Sequence, residues 1–130
     1  MSIITDIFAH MTAHPGLAAL IADRCYPMTL PQDPTLPAVT YQRIGTISLY
    51  SHDGNTGLYH ARWQFSCWSL TYTEGGTGAF DVAQQVQEAL NLWAASHDKE
   101  PAFLENALDL YDPETQIYHI PVDATIWWKE

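Results

Sequence analysis

The sequence predicts an α+β fold: an antiparallel sheet of about four strands with helices packed on one face, in the order α-α-β-β-α-β-β. Three stretches carry that reading. In residues 60–69, Ala61, Trp63, Phe65 and Cys67 alternate with Arg62, Gln64, Ser66 and Trp68, the period of a half-buried strand. Glu74-Gly75-Gly76-Thr77-Gly78 then breaks the strand. From Ala79 the period changes, and Ala79, Val82, Ala83, Val86, Leu90 and Trp93 form one helical stripe. A strand face and a helix stripe adjacent in sequence can bury each other, giving a nucleus for a two-layer domain.

The remaining elements follow in chain order. Ile3, Ile4, Ile7, Phe8 and Met11 line one stripe of a first helix, with Ser2 or Thr5 able to cap it. Pro15 biases His14 away from helix and suits the first turn of a second, whose apolar side is Leu17, Leu20 and Ile21. Pro27, Pro31, Pro34 and Pro37 make residues 26–37 a stiff, extended crossing with no regular hydrogen-bond ladder.

Residues 38–44 have strand propensity, and 46–50 continue it past a bulge at Gly45. Residues 51–57, rich in Gly, Asn and Asp, form a hairpin loop into the central strand. After the helix, 94–101 is a polar link and 103–111 a less regular strand. Asp112-Pro113-Glu114-Thr115 fits a type I turn. In the last strand Tyr118, Ile120, Val122, Ala124 and Ile126 face in, while His119, Pro121, Asp123 and Thr125 face out. Pro121 marks this strand as an edge or as bulged. No repeat or linker interrupts residues 1–130, which read as one domain.

Composition narrows the function. Fifteen acidic residues against five basic give a formal net charge of −10, the wrong sign for holding phosphate backbones. Cys67 takes an inward strand position, and Cys25 and Cys67 read as reduced thiols of a cytosolic fold, with a single disulfide as the alternative. The N-terminus has no basic flank, and the longest apolar run (16–22) is too short to span a bilayer, so a soluble protein without membrane contact is expected.

Chemistry-bearing patterns fall short. His10 and His14 have helical ligand spacing but lack the Glu of H-E-x-x-H, and read as surface or capping residues. Asp53-Gly54-Asn55-Thr56-Gly57 begins like a calcium loop, yet Leu58 and Gln64 stand where Gly and Glu are needed. Gly75-Gly76-Thr77-Gly78 lacks the Lys-Ser/Thr of a nucleotide loop and is flanked by Glu74 and Asp81, so Thr77 reads as a helix N-cap. No nucleophile elbow is present, and carboxylate pairs such as Asp109 with Asp112 read as solvated surface. No catalytic residue, metal or cofactor is expected.

Aromatic residues are left over. Trp68, Tyr72, Trp127 and one of Tyr50 and Tyr59 fall outside the apolar stripes, as contact surfaces do. With His52, Asp53 and Asn55 of the hairpin loop they form the expected oligomer or tube interface.

Three blocks carry a resemblance: residues 17–27 (LAALIADRCYP), Leu30-Pro31-Gln32 with 36–41 (LPAVTY), and the central strand with its helix, joined through Gly54-Asn55-Thr56-Gly57-Leu58. Their order resembles the tail-completion proteins of long-tailed bacteriophages, also called tail terminators or tail-to-head joining proteins. Residues 74–78 look longer and more Gly-rich than the usual entry to the helix in that family. The resemblance implies an α+β virion subunit without catalytic residues. It implies assembly with itself as a ring, usually a hexamer, on the tail tube protein in the virion tail. Such a ring stops tube growth, meets the head connector protein, and lets genomic DNA pass without specific binding. An acidic bore suits that passage, and the hairpin of residues 48–59 would face the bore or the tube. The alternatives are a head-side adaptor or a tail-tube subunit, and, from another class, a small ligand-binding domain or enzyme.

Overall fold

The computed structural model describes residues 2–51, 54–97 and 100–129; for 46–51, 54–58, Ser96 and Lys129 it describes the backbone alone. Two helices open the chain, α1 (Ile3–Ala13) and α2 (Pro15–Ile21), followed by β1 (Cys25–Pro27), β2 (Ala38–Ser51) and β3 (Gly54–Ser69). A 3-10 turn (Glu74–Gly76) leads to α3 (Ala79–Asn91) and the one-turn α4 (Trp93–Ser96). Then come β4 (Ala102–Ala107), β5 (Leu110–Asp112) and β6 (Ile117–Lys129).

The α+β reading stands, but the sheet has six strands rather than about four and is mixed rather than purely antiparallel. Its order is β1-β2-β3-β6-β4, with β5 pairing β6 beyond the end of β4. The extra strands are short ones that no run of residues announces. β1 lies parallel to β2, Cys25 opposite Val39 and Pro27 opposite Tyr41, so the proline-rich crossing does enter the ladder at its start. Pro27 takes the last place there, and the chain then leaves through Met28 at φ 70°.

The strand expected over 103–111 is two, broken at Leu108 and Asp109. The break accounts for Pro121, which lies inside the sheet and not at an edge. Pro121 pairs with Ser66 on one side, and on the other its carbonyl accepts from Leu108 N–H at 3.2 Å. A strand residue's N and C=O point the same way, so the missing N–H faces the gap between β4 and β5, where no ladder bond is lost.

The hairpin is also longer than expected. Ser51 and Gly54–Gly57 belong to strands, with Tyr50 opposite Asn55 and Ser51 opposite Gly54; His52 and Asp53 lie outside the described residues. Among the described residues the last β3–β6 pair is Leu58–Lys129, and past it β2 and β3 run on together as a two-stranded ribbon. Register shifts after Arg43 and Ser48 mark bulges, the first at the expected Gly45.

One face of the sheet carries the core. The inward sets of β3 (Ala61, Trp63, Phe65, Cys67) and β6 (Ile120, Val122, Ala124, Ile126) are buried, as expected, beneath the Val82, Val86 and Leu90 stripe of α3. Burying a large aliphatic side chain contributes roughly 1.5–3 kcal/mol. From the first helix Ile3, Ile7 and Met11 join the core, whereas Ile4 and Phe8 remain exposed.

Helix ends follow local chemistry. Ser2 caps α1, its Oγ accepting from Thr5 N–H at 3.3 Å. The N-cap of α3 is Gly78 and not Thr77: Asp81 Oδ2 accepts from Gly78 N–H at 3.1 Å, beside the positive helix end. A side chain at 78 has no room, because a Cβ there would overlap the Tyr72 carbonyl. The helix also stops at Asn91, short of the last residue of the expected stripe, and Trp93 begins α4, which runs on into the polar link expected over 94–101. Trp93 is fully buried, its indole N–H donating to the Trp127 carbonyl at 3.2 Å, which pins that turn to β6.

Candidate functional site: the sheet surface and its edges

Strand parity sends Thr40, His60, Arg62, Gln64, Ser66, Trp68, His119, Asp123, Thr125 and Trp127 to the face opposite the helices. This face is ordered by its own contacts. Trp68 lies on His119 with ring centroids 3.9 Å apart and planes 7° from parallel, and its indole N–H donates to Thr40 Oγ1 at 3.0 Å. Trp127 stacks on His60 at 4.3 Å. Between the pairs, Asp123 accepts from the Arg62 guanidinium at 3.0 Å and from the Gln64 amide at 3.1 Å. Burial pushes His119 below the ordinary histidine range, and its Nε2 is buried without a partner.

The expected interface residues therefore occupy separate places. Trp68 and Trp127 share the uncovered face but sit at opposite ends of it, with His60 and Trp68 eight residues apart on β3, roughly 27 Å of strand. Tyr59 is on the helix side, opposite Trp128 and stacked on it at 5.7 Å, so it is partly buried against the core. Tyr72 lies beyond the end of β3, where its hydroxyl donates to Asp109 Oδ2 at 2.6 Å and its ring meets Phe80 and Tyr118. Tyr50 and Asn55 pair in the ribbon backbone; their side chains, with His52 and Asp53, lie outside the described residues.

His10 is no free surface residue. Its Nε2 bonds the Ala89 carbonyl at 2.6 Å, and its ring meets Trp93 and His97 edge-on, docking α1 against the end of α3. Burial lowers its pKa most, opposed by that carbonyl and assisted by His97 and His14. His14 instead bonds Gln85 Oε1 at 3.2 Å. Among the described residues no three His, Cys, Asp or Glu are grouped to hold a metal ion.

The two lateral edges of the sheet differ, and here the sequence reading missed a feature. At one edge β1 covers β2 only over Val39–Tyr41. Beyond it a cleft of about 200 Å³ opens between Ile4, Met28, Tyr41, Arg43 and Trp63. Arg43 is exposed, and the buried Trp63 Nε1–H has no acceptor. At the other edge β4 pairs only with β6, and Phe103, Leu104, Leu108, Leu110 and Tyr111 stand exposed beside Glu105, Asp109, Asp112 and Glu114. Nothing in strand periodicity distinguishes an edge from an interior strand, so neither surface was legible in advance.

Comparisons with known proteins match this architecture. A chain of a solved structure described as "Virion of native gene transfer agent (GTA) particle" superposes with a TM-score of 0.72 over 95% of this chain and 92% of its own. The two are 14% identical, so the likeness is one of fold. No curated protein matches. The family model for tail completion protein gp17 matches residues 5–129, and the chain therefore belongs to the tail completion protein family, structural components of phage tails.

Proposed function

We infer that this chain acts as a single tail-terminator domain that closes as a ring on the tail tube, stops tube polymerisation and joins the tail to the head connector. The family match over residues 5–129 carries the reading. The likeness to a chain within a gene transfer agent virion supports a place among other virion proteins. In this reading the subunit has no catalytic task, ring neighbours are further copies in a hexamer, and DNA passes through the bore without specific contacts. A formal net charge of −10 per copy suits such a bore, because phosphates are repelled from it.

The β2–β3 ribbon suits a reaching role, since it extends past the last β6 pair. We place it at the bore or against the tube, with Tyr50, His52, Asp53 and Asn55 in contact; Trp68, Tyr72 and Trp127 offer further contact aromatics. The test is assembly itself. Purified protein examined by mass measurement and electron microscopy should give closed rings that cap tail tubes. Unlimited tubes would instead identify a tube subunit, and binding to connectors alone a head-side adaptor. Hydrogen exchange should slow across residues 48–59 on tube binding if the ribbon meets the tube.

A further inference from the structure

We propose that the cleft edge of the sheet, centred on Arg43 and Trp63, receives the acidic and apolar β4–β5 edge of a neighbouring copy of this chain. The inference rests on the ring reading and gives it a named pair of surfaces. The cleft has apolar walls in Ile4, Met28 and the Tyr41 and Trp63 rings, and beside them stands the Arg43 guanidinium, exposed and without a protein acceptor among the described residues. A cation beside an apolar cleft favours an occupant that brings a carboxylate together with apolar side chains.

The opposite edge offers that chemistry. Leu108, Leu110 and Tyr111 are exposed by about half, interleaved with Asp109 and Asp112, and Glu105 stands exposed at the bulge in β4 with one carboxylate oxygen on Thr125 of β6. Each of these carboxylates keeps acceptor capacity beyond its internal bonds, from Tyr72 to Asp109, from Thr115 and the Glu114 N–H to Asp112, and from Thr125 to Glu105. Charge is complementary as well. Of the cations with described side chains, Arg62 is paired with Asp123 and Arg24 donates to the Pro37 and Leu20 carbonyls, leaving Arg43 unpaired at the cleft.

Geometry sets the type of contact. Three inter-strand spacings separate β2 from β4, roughly 14 Å, so the two surfaces look away from each other on one molecule. They can meet only between copies, head to tail, which is the contact that generates rings. The bulge between Leu104 and Asn106 blunts β4 as a template for continuous strand pairing, so side chains carry the contact.

Sedimentation of four proteins tests this: wild type, Arg43→Glu, Glu105→Arg/Asp109→Arg, and the three changes combined, with Glu88→Arg on the exposed side of α3 as control. Each reversal should weaken assembly by at least about tenfold, the combination should recover most of it, and the control should assemble as wild type. Met28→Asp at the cleft rim gives a second route should Arg43→Glu melt early. Wild-type assembly that survives Arg43→Glu and Met28→Asp alike, or a combination that restores nothing, overturns the pairing and leaves the ring reading standing. Wild type that stays single with and without tail tubes overturns the ring reading and the pairing with it.

Discussion

His119 lies flat against Trp68, their planes 7° from parallel, and this pair closes one end of a sheet face that no helix covers. The stack explains why the face is half-buried without a second layer. It also shields Thr40, which is 5% exposed, and Ser66, which is 8% exposed.

Trp68→Ala should destabilise the protein by about 2 kcal/mol, through the lost stack and the orphaned Thr40 hydroxyl. Trp68→Phe keeps a ring over His119 and should cost only about 1 kcal/mol, the share of the hydrogen bond. Urea unfolding at neutral pH measures both. A Trp68→Ala loss confined to assembly, with stability unchanged, would make the residue a contact aromatic alone.

Burial depresses His119 and His10 below their unfolded values, so the folded state favours the neutral rings. Between the folded pKa and the unfolded value near 6.5 the unfolded chain binds more protons, so stability rises with pH there. The contribution is complete above about pH 6.5 and is lost as pH falls through the folded pKa. Unfolding free energy followed from pH 7.5 downward should decline across that window, and less steeply in His10→Gln/His119→Gln.

Gly78→Ala should destabilise by roughly 2–3 kcal/mol, since the new Cβ meets the Tyr72 and Thr73 backbone, which cannot swing aside. Gly45→Ala is the contrast: nothing lies within 4 Å of its Cβ, and the change should fall within about 0.5 kcal/mol. Thermal melts of the two variants side by side check the pair.

Both cysteines are free and buried, and burial pushes the Cys25 thiol up to about 12 and raises Cys67 as well, with Cys25 adding to the effect. Thiolate is the reactive form, so neither should react with a thiol reagent in the folded protein at pH 7.5. Both should react at once in denaturant. Mass spectrometry of labelled protein counts the adducts.

The sequence by itself determined the α+β class, the inward faces of β3 and β6, the stripe of α3 and the family. The class, the faces and the stripe depend on periodicity and local propensity, which neighbours in the chain supply; the family rests on the resemblance of three residue blocks and on the match over residues 5–129. Only the tertiary structure decided where strands stop and which strand lies beside which. Pro121 reads as the mark of an edge or a bulge until the gap between β4 and β5 is seen opposite it. Trp68 and Trp127 read as spare aromatics until His119 and His60, from partner strands, are found beneath them. Arg43 lies within the strand expected over 38–44, and only the sheet shows that β1 ends its pairing at Tyr41 and leaves β2 uncovered beside it. Each of these depends on residues distant in sequence meeting across the sheet, and a local pattern cannot encode that meeting.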